Sequence, residues 1–89
     1  MIFEFHYKSD DQKDWIKAPN RKEAIYFIMS QTDLIFAEII KDCKIRKLSL
    51  QEEKEFTVYG EDDKTTMTFY DYAQSAFDVD YIASTAFYL

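Results

Sequence analysis

One cysteine, one glycine, one proline and one histidine in eighty-nine residues exclude more chemistry than the rest of the chain suggests. Cys43 has no partner for an internal disulfide, and with His6 as the sole histidine neither a thiolate-rich zinc site nor an imidazole cluster can be assembled. Gly60 alone provides no glycine-rich loop for phosphate. The nearly apolar runs Ala24 to Met29 and Leu34 to Ile40 fall far short of the roughly 20 residues of a membrane-spanning helix, and Glu38 interrupts the second. The chain opens Met-Ile-Phe-Glu, with an acid where a secretory signal carries basic residues, so the expected compartment is a reducing cytoplasm, a host's if the gene is a phage's.

The residues present describe a single acidic globular domain over 1–89, with formal charge −6 and 47% hydrophobic and 18% aromatic side chains to build a core. Phe3, Phe5 and Tyr7 share one face of an opening strand and Glu4 and His6 the other. Ser9 to Gln12 reads as a turn, and Trp15 to Lys17 as a second extended piece ending before Pro19. Asn20 is a helix N-cap with Glu23 three residues on, and the helix that follows is apolar almost all round from Ala24 to Met29, which calls for packing on more than one side.

Beyond Gln31 the pattern is less decided. Ile35, Phe36, Ile39, Ile40 and Cys43 fall at helical spacing, while Leu34 to Ile40 also has the composition of a buried strand. Lys44 to Leu50 is basic and β-prone, and Glu55 to Met67 reads as a hairpin with arms Phe56 to Tyr59 and Thr65 to Phe69, turning at Gly60 to Asp63. Tyr70 to Phe77 suits a short helix. Val79, Tyr81, Ala83, Thr85, Phe87 and Leu89 alternate as one face of a last strand. The expected fold class is α+β, a small and mostly antiparallel sheet packed against one or two helices.

Charge is the clearest functional clue. Residues 1 to 50 hold nine basic and eight acidic side chains, and residues 51 to 89 hold two and nine, a split of +1 and −7. Such a bias repels phosphates and favours encounter with a basic surface. Tyrosines interleave with the acids, and tyrosine is enriched in protein interfaces. The candidate partner-binding set is therefore Tyr59, Glu61, Asp62, Asp63, Tyr70, Asp71, Tyr72, Asp78 and Asp80. The expected function is a non-enzymatic inhibitor that blocks the basic groove of a nucleic-acid-processing protein. Small phage-encoded antagonists, anti-CRISPR proteins among them, share this size and charge but no motif with the chain. The alternatives are an immunity protein or antitoxin against a cationic nuclease, and a structural subunit whose strands pair in a homo-oligomer.

Competing chemistry is weaker. Glu61 to Asp63 and the pair Asp78 and Asp80 lack the spacing of a calcium loop, so no metal or cofactor is expected. Cys43 and His6 lie far apart in sequence, and Cys43 reads as a buried, inert thiol. Lys41, Lys44, Arg46 and Lys47 form a basic run flanked by Glu38 and Asp42, which reads as a salt-bridged solvated face, so neither direct nucleic-acid binding nor a membrane partner is expected.

Overall fold

A computed structural model describes residues 1–59, 66–74 and 77–85, and within them the fold is α+β. Strand β1 (Ile2–Tyr7) turns back on β2 (Lys13–Lys17) through a turn whose residues dictate its shape. Asp10 Oδ1 accepts from the Gln12 amide at 3.0 Å, the Gln12 carbonyl accepts from the Tyr7 amide at 2.8 Å, and Asp11 sits at φ 60°, a left-handed conformation aspartate tolerates. Strand β3 (Cys43–Lys47) joins the free side of β1, and the last described strand, β6 (Asp80–Ser84), joins β2. The sheet is antiparallel throughout, in the order β3-β1-β2-β6.

The period of two in β1 to β3 sorts side chains onto two cores. Phe3, Phe5, Ile16 and Cys43 point to one face, which helices α1 (Arg21–Gln31) and α2 (Phe36–Asp42) cover with Ala24, Ile25, Ile28 and Ile39. Ile2 and Trp15 point to the other, covered by the hairpin β4 (Thr57–Tyr59) and β5 (Thr66–Thr68) and by α4 (Phe69–Tyr72), against which α3 (Leu50–Glu55) lies with no buried residue of its own. No helix among the described residues is long and apolar enough to cross a membrane.

Asn20 caps α1 as its position implied, its side-chain oxygen accepting from the Glu23 amide at 2.9 Å. The apolar girth of α1 is only partly used. Ala24, Ile25 and Ile28 are buried, Phe27 stands edge-on to Tyr81 with centroids 5.1 Å apart, and Tyr26 faces outward under the Lys22 ammonium. In the ambiguous stretch after α1 the helix forms, but only Ile39 is buried within α2, and Cys43 belongs to β3.

Three expectations are corrected. Between Leu50 and Glu55 the chain is helical, where the sequence reading had a β-prone end and the start of a hairpin. Ser49 and Glu52 form a reciprocal capping box there, with bonds of 3.1 Å in each direction. Of the helix expected over Tyr70 to Phe77, the described residues form Phe69–Tyr72, with a turn at Ala73 and Gln74. The even alternation from Val79 onward fails as well, because the pairing of β6 with β2 shifts between Trp15 and Ile16. Tyr81 lies opposite Ile16 and Ala83 opposite Trp15, so Ile82 is the extra residue of a β-bulge. Ile82 and Ala83 both enter the second core, while Tyr81 packs on the first. Phe87 and Leu89 lie outside the described residues.

The layers are locked by a polar chain through the centre of the sheet. Glu4, 8% exposed, lies opposite Trp15 on one side and Arg46 on the other. It accepts from Trp15 Nε1 at 3.1 Å and from Arg46 Nε at 2.8 Å, and Arg46 Nη1 reaches Glu52 on α3 at 2.7 Å. The guanidinium is thus held charged by Glu4 and then Glu52, while the Ser49 amide and Arg46 hold the Glu52 carboxyl below its ordinary range.

Two outcomes are expected in urea denaturation. Asn20→Ala should cost about 1 kcal/mol through the lost cap. Arg46→Met, which leaves the buried Glu4 carboxylate without a cation, should cost about 3 kcal/mol, whereas Glu4→Gln, which keeps an acceptor for Trp15, should cost about 1 kcal/mol. The reverse order would show that the carboxylate is not what needs the cation.

Candidate functional site

Where β1, β2 and β6 meet the ends of the two helices, the sheet leaves an open cavity of about 520 Å³. Its floor is Asp14, 3% exposed, on the helix-facing side of β2. Tyr7 Oη donates to Asp14 Oδ2 at 2.9 Å, Gln12 Nε2 donates to Oδ1 at 3.2 Å, and the Ser84 hydroxyl donates to Oδ1 as well. Asp14 is a buried carboxylate solvated by three neutral donors, with no salt bridge among the described residues.

The walls add charge of the same sign. Asp10 comes from the β1–β2 turn and Asp42 from the last turn of α2, while Gln31 closes α1 beside them. The carbonyl ends of both helices border the cavity: that of α1 carries partial negative charge with no base in its last turn, whereas at α2 Lys8 Nζ donates to the Lys41 carbonyl at 3.4 Å. Tyr7 and Tyr81 present their rings, and neither lysine nor arginine lines the space. Burial, followed by the field of Asp14, pushes the Tyr7 and Tyr81 phenols above their ordinary 10.0. No three His, Cys, Asp or Glu side chains among the described residues converge as metal ligands. Separated carboxylates with aromatic walls suit an extended organic cation better than a bare ion.

The sequence-derived site is distributed differently. Glu61, Asp62 and Asp63 lie outside the described residues. Tyr59 ends β4 opposite Thr66. Tyr70, Asp71 and Tyr72 lie together and exposed on α4, on the opposite face of the sheet from the cavity. Asp80 opens β6 opposite Lys17, and Asp78 is exposed just before it. The surroundings of α4 are charge-balanced: Lys54 Nζ sits 5.1 Å from the Tyr70 ring centroid, and the hollow that Tyr70 borders contains Lys17 and Lys47 as well as Glu52 and Glu53.

The sequence reading missed the cavity because its acids come from a turn, a strand and a helix end. One signal was present: Tyr7 and Asp14 flank the predicted turn, on strands that had to pair. Cys43 is buried as expected; pairing of β1 with β3 brings it next to the His6 backbone, but Cys43 faces the first core while His6 points to the other face and contacts Asp11. Comparison with protein-family models, with curated proteins and with solved structures returns no match.

Burial, then Asp42 and Asp14, lifts the Cys43 thiol from its ordinary 9.0 to about 11. Between those values the unfolded chain releases a proton that the folded chain keeps, so stability is complete below pH 9 and falls as pH rises toward 11. Tyr7 and Tyr81, shifted the same way, steepen the loss above pH 10. Urea midpoints should therefore drop between about pH 8 and about pH 10.5, and Cys43→Ala should shrink the drop. An unchanged midpoint in the parent protein would contradict the burial of these groups.

Proposed function

We propose that this protein is a non-enzymatic binding protein for a basic protein surface, and that the Asp14 cavity receives a lysine or arginine side chain of that partner. The observation that carries the reading is the cavity's lining: three carboxylates and two tyrosine rings beside the carbonyl end of α1, with no lysine or arginine among the residues that line the space. An ammonium or guanidinium entering there gains charge-assisted hydrogen bonds and ring contacts together. The α4 surface is the weaker candidate, because Lys54 lies over its Tyr70 ring and Lys17 and Lys47 line the hollow that Tyr70 borders.

A partner rich in such side chains is the kind that handles nucleic acid. Occupying its basic groove would exclude phosphates, so inhibition by competition is the activity proposed here, in the cytoplasm where such partners work. Long-range attraction from the net charge of −6 would speed encounter, and salt would weaken it.

The test is capture from an extract of the native host on immobilised protein, with and without heparin as a competing polyanion, using the parent and an Asp10→Asn/Asp42→Asn variant. Both residues are exposed, so the variant should fold. The captured proteins should be basic nucleic-acid binders, released by heparin and held about tenfold more weakly by the variant. Capture that is indifferent to both heparin and the variant would discard the proposal.

A further inference from the structure

The helical layer carries a second surface of opposite character. Between α1 and α2 runs an apolar groove of about 430 Å³, lined by Ile25, Tyr26, Phe36 and Ile40 with Arg21 and Lys22 at its rim. Tyr26 is 45% exposed, Phe36 45% and Ile40 49%, an outlay of apolar surface that folding alone does not require. Phe36 and Ile40 are four residues apart on α2, and Lys22 and Tyr26 four apart on α1, so each helix presents one continuous stripe to the groove.

The rim decides what fits there. No carboxylate lines the groove. Arg21 uses one guanidinium nitrogen, Nη2, to hold the Ile45 carbonyl of edge strand β3 at 3.3 Å, and Lys22 lies 5.5 Å from the Tyr26 ring centroid. Neither forms a salt bridge among the described residues. Both cations therefore border the exposed apolar side chains of the groove, with no carboxylate salt-bridged to either among the described residues. A basic segment would meet repulsion here, and an uncharged one would leave the two cations desolvated without a partner.

We infer that the α1–α2 groove docks an acidic amphipathic helix of a partner protein, with apolar side chains seated between Tyr26, Phe36 and Ile40 and carboxylates on Arg21 and Lys22. This is helix-in-groove recognition, in which apolar anchors at i and i+4 match the stripes and flanking acids set the orientation. It is independent of the cavity proposal, since the groove and the cavity share no residue. A protein with both surfaces joins a basic partner at one end of its helical layer to an acidic one on its outer side.

The probes are two labelled synthetic helices of about 15 residues, with the same leucine and phenylalanine anchors at i, i+4 and i+7 and either glutamate or lysine at the flanking positions. Binding is read by fluorescence anisotropy and located by amide chemical shifts. The glutamate helix should saturate, with shifts confined to α1 and α2 around Tyr26, Phe36 and Ile40. The lysine helix should bind the groove at least about tenfold more weakly. Any shifts it causes at Asp10 and Asp42 report the cavity, so failure of one proposal is distinguishable from failure of the other. Arg21→Glu/Lys22→Glu should invert the preference at the groove, and Phe36→Ser/Ile40→Ser, both at exposed positions, should lower glutamate-helix affinity about tenfold with unchanged circular dichroism. Absence of saturable binding by the glutamate helix overturns the inference, as does equal groove binding by both helices. It is also overturned if sedimentation shows that the parent protein self-associates through this face and Phe36→Ser/Ile40→Ser abolishes the association.

Discussion

A carboxylate in the middle of a sheet is the constraint on which the rest of this molecule depends. Glu4 occupies the central strand at a position otherwise fit for an apolar side chain, and a buried carboxylate costs several kcal/mol, roughly, unless it is bonded and balanced. Its neighbours across both ladders supply the remedy, Trp15 through an indole N–H and Arg46 through a guanidinium. The consequences run outward. With its nitrogen on Glu4, the Trp15 ring meets the Phe69 ring at 5.5 Å in an edge-on contact, and Phe69 meets Phe56 at 5.6 Å in another. Those two phenylalanines seat α4 and the β4–β5 hairpin. On the other side Arg46 reaches Glu52, which is itself committed to the capping box that starts α3. The apolar core supplies most of the driving force, since each fully buried Phe5, Ile16 or Ile28 side chain contributes roughly 1.5–3 kcal/mol. The Glu4 chain determines where the second layer sits.

How far the fold was readable follows from whether the relevant interaction was local. The turn at Ser9 to Gln12 and the cap at Asn20 are made by side chains bonding their own backbone two or three residues away, and both were legible. The capping box at Ser49 and Glu52 is equally local and stands in the sequence as Ser-Leu-Gln-Glu. A helix with no buried residue shows no apolar period, so hydrophobic patterning does not reveal it. The bulge at Ile82 has no local cause. It is fixed by the register of β6 against β2, and sequence alternation cannot anticipate it. The same distinction applies to function. The excess of acids after Leu50 was visible, but the acids that share a cavity come from residues 10, 14 and 42, in the half whose charges nearly cancel. Net charge summed along a chain does not register three carboxylates gathered from three elements.

The two outer surfaces of the helical layer differ for a related reason. Thr32, the C-cap of α1, lines the cavity, whereas Arg21 and Lys22 at the start of the same helix border the groove. The helix therefore sets a carbonyl end among carboxylates and an amide end beside two cations, and neither arrangement neutralises its dipole. A sequence optimised for stability alone would exchange those charges, placing acids in the first turn and bases in the last. Only Glu23 conforms in the first turn, and the last turn holds no base.

The bulge ties this arrangement back to the sheet. Had β6 kept an even alternation from Tyr81, Ser84 would face the second core, and Asp14 would lose one of its three donors. Because Ile82 and Ala83 turn to the same side, both fill the space beneath Trp15, and the strand resumes in the opposite phase so that Ser84 returns to the helix face opposite Asp14. One extra residue thus serves both faces. It thickens the core that the Glu4 chain organises, and it completes the donor set that lets a carboxylate remain buried on the floor of the cavity. The register shift that broke the sequence pattern is the same feature that joins the packing of one face to the electrostatics of the other.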